Sequence, residues 1–254
     1  MKLRWLPPLA LLSFAVAALL NPGGSAPGAA ADHDPVYGRH ICIDPGHGGS
    51  EPGAVNGELY EKDINLDESL YLRHQWEGRS ATVTMTRVSD QTKSSRERYE
   101  LCNSIGADIL VSVHTNSVSN STSDGALSIY FSNGDKVLAR AVHEKMYPAL
   151  KASAPAPDAF IDFGLKKDPL GVLLKSTMPS VTTEPVFMSH PGEAALLFTP
   201  IYAEAGTPNP DCVDCRRLQI TQAIIDGVDN YFLNFAGEEP DGPGPGRGQG
   251  KMPR

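Results

Sequence analysis

Asp44-Pro45-Gly46-His47-Gly48-Gly49 follows directly on the apolar run Ile41-Cys42-Ile43. A β-branched strand that breaks into Pro and Gly must end in a sharp loop, because Pro and Gly punctuate rather than continue extended structure. The histidine in that loop has little side-chain bulk on either side, so its ring is free to reach a ligand. Taken alone, the stretch reads equally well as a plain turn. Outward from it, Glu61, His114 and Glu184 each occupy a setting that suits the same kind of site.

Strand and helix patterns alternate along the chain. Extended segments are expected at Val36 to Ile43, Ala81 to Thr86, Asp108 to Val113, Ala126 to Phe131 and Val181 to Thr183. Helices are expected at Leu59 to Trp76, from Ser94-Ser95 to about Ile105, at Lys136 to Leu150 and at Arg216 to Phe235. The last places Ile220, Ile224, Val228 and Tyr231 along one face. Residues 151–170, with Pro155 and Pro157, read as a long loop. The alternation predicts a single α/β domain, with a largely parallel or mixed twisted sheet covered by helices on both faces. Ligands in such folds collect at the carboxyl ends of strands. His47, His114 and Glu184 all follow or end a strand, so one rim of the sheet is expected to hold them.

Both ends of the chain have a different character. Lys2 and Arg4 precede an apolar stretch from Leu9 to Leu20, then small residues ending at Ala29-Ala30-Ala31. This is the plan of a signal peptide over residues 1–31; the alternative is an uncleaved anchor, against which the short apolar run argues. No cysteine adjoins the expected cut, which argues against a lipoprotein. The domain is placed at 32–235, and the Gly/Pro-rich stretch 236–254 is expected to be disordered. Export to the periplasm or cell wall follows, with no stable membrane association once the segment is cleaved. Removing residues 1–31 takes the formal net charge from −8 to −10. That balance argues against a nucleic-acid partner or an anionic membrane surface. A monomer is expected.

Four cysteines in an exported chain invite disulfides. Cys212 and Cys215 lie in a polar loop where a local bridge fits. Cys42, in a strand, and Cys102, in a helix, read as small buried hydrophobes.

Two histidines and a carboxylate from separate loops make a common catalytic zinc set that leaves a position for water. Each residue also has a plainer reading on its own. His114 alone is more often a satisfied core histidine, Glu61 a solvated carboxylate at a helix start, and Glu184 a surface carboxylate before Pro185.

Taken together, the blocks resemble the zinc-dependent N-acetylmuramoyl-L-alanine amidases of the type 3 family, over roughly residues 37–233. The carriers are Asp44 to Gly49, Glu61-Lys62, Thr86-Arg87, Arg96, Ala107 to Asn116, and Leu170 to Met188. The resemblance implies that His47, Glu61 and His114 hold Zn2+ and that Glu184 is the catalytic carboxylate, passing a proton from water to the leaving amine. It implies a peptidoglycan substrate, cut between the lactyl group of N-acetylmuramic acid and L-alanine. Val186 stands where the family usually has Gly, and His190 where it usually has Asn. His190 reads as a surface histidine, with a polar role in the cleft as the alternative. Some relatives carry a helical plug over the metal; residues 117–178 show no long insertion of that type, so an open site is expected. Two other readings remain at this point: a zinc hydrolase of another wall amide, and a non-catalytic wall-binding protein that keeps the fold.

Overall fold

The computed structural model describes residues 34–169, 171–203 and 206–237. The expected signal segment, and all but the start of the expected Gly/Pro tail, lie outside them. Strand β1 (His40–Pro45) pairs in parallel with β4 (Thr82–Met85) on one side and β5 (Ile109–Val113) on the other. Strand β8 (Ser180–Glu184) lies parallel to β5. Beyond it, β6 (Gly125–Tyr130) runs antiparallel to β8, and β7 (Ile161–Lys167) runs parallel to β6. The six-stranded order is thus β4-β1-β5-β8-β6-β7, a mixed sheet.

The strand alternation sorts two cores. Ile41, Ile43, Ile109, Val111 and Val113 face a large cluster shared with α1 (Glu61–Gly78), α3 (Asn133–Ala152) and α5 (Arg216–Asn234). Cys42 and Leu110 face the other way, into a smaller cluster with Cys102 of α2 (Ser95–Ser104) and with Val172, Leu173 and Met178. Every residue of β5 is buried, as expected for a central strand covered on both faces. The α/β layering read from the sequence therefore holds. Among the described residues no helix is long and apolar enough to cross a membrane.

Helix starts follow local chemistry. Ser94 caps α2 through a reciprocal pair with Glu97, and Ser132 caps α3 the same way with Asp135. Pro191 opens the short helix α4 (Pro191–Leu197), whose N-cap is His190.

Three expectations need correction. Residues 151–170 are not a bare loop, since they contain edge strand β7. Ile161, Phe163 and Leu165 alternate with Asp162, Gly164 and Lys166, a period-two signal for a strand that the reading as a loop passes over; the strand buries little because it lies at the edge of the sheet beside β6. The first helix does not begin at Leu59: Leu59–Tyr60 (β3) pairs with Val55–Asn56 (β2) in a small hairpin that ends where α1 starts. Cys42 and Cys102 are buried but not merely as hydrophobes, because they are bridged to each other across 60 residues. Cys212 and Cys215 are bridged as expected.

Candidate active site

The chain leaves β1, builds β4 on one side of it, then returns to place β5 on the other. The crevice at the carboxyl ends of β1 and β5 is therefore a topological switch point. His47 follows β1, His114 follows β5, and Glu184 ends β8, the next strand along.

The loop after β1 holds a demanding backbone. His47 has φ 59°, followed by Gly48 at φ 128° and Gly49 at φ 58°. A left-handed histidine costs energy and persists only where its surroundings fix it. Here two buried guanidiniums fix it. Arg87 donates to the carbonyls of Pro45 (3.0 Å), Gly46 (2.8 Å) and Lys62 (2.7 Å). Arg98 donates to the carbonyls of Pro45 and His47, both at 2.7 Å. Asp44, also buried, accepts from Thr86 (2.6 Å), Ser112 (2.8 Å) and Arg98 (3.0 Å). Burial lowers Arg87 to about 10, assisted by the charge of Arg98, which leaves it charged at neutral pH. Sequence reading missed Arg98: the arginine noted there, Arg96, is exposed and pairs with Glu100. The available signal was the four-residue spacing of Arg98 and Cys102, which puts both on the inner face of α2.

Glu61 opens α1 and is 6% exposed. Its Oε1 lies 2.9 Å from His114 Nδ1, and its Oε2 lies 3.2 Å from His47 Nε2. The backbone amide of Ala54 donates to Oε2 at 2.9 Å and that of Thr115 to Oε1 at 3.3 Å. Burial would push this carboxyl up, but the hydrogen bonds from His114 and His47 outweigh it and hold it far below the usual range. For His114, burial favours the neutral ring, and the Glu61 bond with the nearby carboxylate charges more than reverses this. One ligand atom from each of His47, Glu61 and His114 lies within 4.8 Å of the others.

These residues fit a zinc ion. Two imidazoles and a carboxylate are an N/O donor set zinc accepts, and ring N–H groups facing an ionised carboxylate hold protons where a cation would serve. The backbone packs closely against the three side chains: a Cβ on Gly46 would collide with the His114 ring, and one on Gly53 would lie 2.6 Å from His47 Cδ2 and 2.8 Å from Glu61 Cβ. The His47 and His114 side chains remain 30% and 23% exposed, so the group is reachable from solvent.

Glu184 faces the same cleft, a cavity of about 270 Å³ that His47, His114, Arg98 and Val172 also line. Its Oε2 is buried without a hydrogen-bond partner among the described residues. Burial raises its carboxyl to about 7; the Glu61 charge adds to this, while His114 and Lys166 pull it back. A carboxyl that titrates close to neutrality on the wall of this cleft can both take and return a proton.

All four residues singled out in the sequence therefore meet at one rim. His190 does not line this cleft. Its Nδ1 accepts the amide of Glu193 at 3.4 Å, capping α4. Asparagine is a favoured residue for that position, which accounts for the exchange noted in the sequence.

Comparison with known proteins gives a consistent result. LytC of Bacillus subtilis, an N-acetylmuramoyl-L-alanine amidase, is 29% identical over 199 residues, 78% of this chain; this chain spans only 36% of LytC. The germination-specific N-acetylmuramoyl-L-alanine amidase of the same organism is 27% identical over 224 residues, covering 82% of this chain and 85% of that protein. The catalytic domain of CwlV, an N-acetylmuramoyl-L-alanine amidase from Bacillus (Paenibacillus) polymyxa var. colistinus, superposes with TM-score 0.65 at 27% identity, covering 77% of this chain and 98% of that domain. The family described as N-acetylmuramoyl-L-alanine amidase matches residues 41–207, a span that contains every residue of the cleft described above, and this chain belongs to that family.

Proposed function

We propose that this chain is an exported peptidoglycan hydrolase that cuts the amide between the lactyl group of N-acetylmuramic acid and L-alanine, with zinc held by His47, Glu61 and His114. The observation that carries this reading is the pairing of a three-ligand group with a fourth carboxylate, Glu184, whose buried oxygen has no protein partner. What sets Glu184 apart is its place on the wall of the cleft that His47 and His114 also line, where a wall-binding protein that merely kept the fold would need no titrating carboxyl.

Bound zinc supplies Lewis acidity, lowering the pKa of water towards about 7 and polarising an amide carbonyl. The protein's own groups do the rest. Glu184 accepts a proton from the attacking water on its carboxylate and delivers it to the departing amine of L-alanine. The amides of Ala54 and Thr115 hold the Glu61 carboxylate against rotation. Arg87 and Arg98 keep the His47 loop in its left-handed conformation without entering the chemistry.

The test is digestion of purified cell wall by the protein without residues 1–31, with and without chelator, and with zinc restored. Mass spectrometry should find stem peptides with a free L-alanine amino terminus and glycan strands with intact lactyl groups. Cleavage only within the stem peptide would replace the proposed bond, and no zinc-dependent cleavage would overturn the reading. Light scattering on the same preparation checks the expected monomer.

A further inference from the structure

The three proposed ligands come from positions 47, 61 and 114, on segments that the chain itself does not hold together. Asn65 touches all three segments. It lies one helical turn beyond Glu61 on α1 and is fully buried. Its Nδ2 donates to the carbonyl of Gly46, beside His47, at 3.3 Å. The same nitrogen reaches Glu61 Oε1 at 3.4 Å. Its Oδ1 accepts the hydroxyl of Thr115, beside His114, at 3.2 Å.

These partners also decide which way the amide points. A carbonyl and a carboxylate can only accept, so both must face the NH2 group; that leaves the oxygen for the one hydroxyl donor. The two ends of the amide are thus not interchangeable. Thr115 completes the arrangement, since its backbone amide also donates to Glu61 Oε1. The next turn of the same helix gives the contrast. Glu68 and Ser69 are equally buried, yet their side-chain oxygens have no partner among the described residues. Burying polar atoms along α1 is therefore not what sets Asn65 apart; its three directed contacts are.

We infer that Asn65, oriented by Thr115, is a positioning residue that sets the spacing of the His47, Glu61 and His114 segments for metal binding. This rests on the zinc reading above. Packing alone would not require it, because leucine has the same branching and needs no partners, whereas a buried amide is costly unless its hydrogen bonds are made. Groups that orient metal ligands are worth about 10–100-fold in affinity when removed.

The experiment measures zinc affinity by competition with a chelator in the protein without residues 1–31, together with thermal unfolding of the metal-free form. Asn65→Leu should weaken zinc binding by about 10–100-fold. Thr115→Val should weaken it less, and Asn65→Leu/Thr115→Val should be no weaker than Asn65→Leu alone, because both act through one amide. Leu150→Ala, in the core away from the cleft, is the control for lost stability and should bind zinc as the parent does. If the parent binds zinc and Asn65→Leu binds it equally well, or if the two substitutions add in full, the inference is overturned while the zinc reading stands. A folded parent that takes up no zinc overturns both. Should Asn65→Leu fail to fold, unchanged zinc affinity in Thr115→Val overturns the inference.

Discussion

The Cys42–Cys102 bridge should be the main covalent support of this fold, and its worth can be set against that of Cys212–Cys215 in the same chain. The first closes a separation of 60 residues and the second a separation of 3. The chain-entropy relation for the unfolded state then gives about 4 kcal/mol for the long loop and about 2 kcal/mol for the short one. For a domain of this size, each kcal/mol moves the melting temperature by about 2–4 °C. The bridge also has a local consequence. It ties α2 to β1 two residues before Asp44, and α2 carries Arg98, which holds the carbonyls of Pro45 and His47. Its loss should loosen the histidine loop as well as the fold. The clean comparison starts from a Cys212→Ser/Cys215→Ser protein, unfolded in denaturant with and without reductant, beside a Cys42→Ala/Cys102→Ala protein treated in the same way. Reduction should cost the first about 4 kcal/mol and lower its zinc affinity, and should cost the second about 2 kcal/mol with zinc affinity unchanged. Equal losses in the two proteins would refute the loop-length reasoning. A large stability loss without any change in zinc binding would refute the link from the bridge through Arg98 to the site.

Three further outcomes are expected. Glu184→Gln should keep its zinc, by metal analysis, and lose about 10²–10⁴-fold in turnover on purified wall; near-normal turnover would mean that another group carries the proton. Glu68 is buried without a partner, and burial pushes its carboxyl well above the ordinary value near 4.5. The folded protein therefore holds the proton that the unfolded chain releases, so stability is lost as pH rises above 4.5, and Glu68→Gln should gain stability over the parent as pH rises towards about 8 while differing little from it at about pH 4. A gain independent of pH in denaturant unfolding would contradict the protonated state. Arg98→Lys cannot reproduce the forked contacts to Asp44, Pro45 and His47, so it should cost about 1–3 kcal/mol in stability and reduce zinc uptake; an unchanged melting temperature would show that the guanidinium is dispensable.

Local chemistry was legible in this chain because it needs no partner. Strand β1 begins later than expected, at His40, and runs on through Asp44 and Pro45 before Gly46 ends it; Ser94 caps α2 in a reciprocal pair with Glu97, three residues on; and Ile41 and Ile43 face one core and Cys42 the other by side-chain alternation. The four site residues could be named because each stands at a strand end or a helix start, and the layered alternation brings such positions to one rim. Contacts between distant segments could not be read in the same way. Glu61 at a helix start is compatible with open solvent until the packing of α1 against the ends of β1 and β5 buries it between His47 and His114. Cys42 and Cys102 each fit an apolar core, and only the docking of α2 on the sheet brings their sulfurs together. Strand β7 carries a period-two pattern in Ile161, Phe163 and Leu165, but its place at the sheet edge, parallel to β6, is decided only by the tertiary pairing. Asn65 and Arg98 gain their roles in the same way. A hydrogen bond across 50 residues leaves no local periodicity, and it exists only once the tertiary structure has placed donor and acceptor face to face.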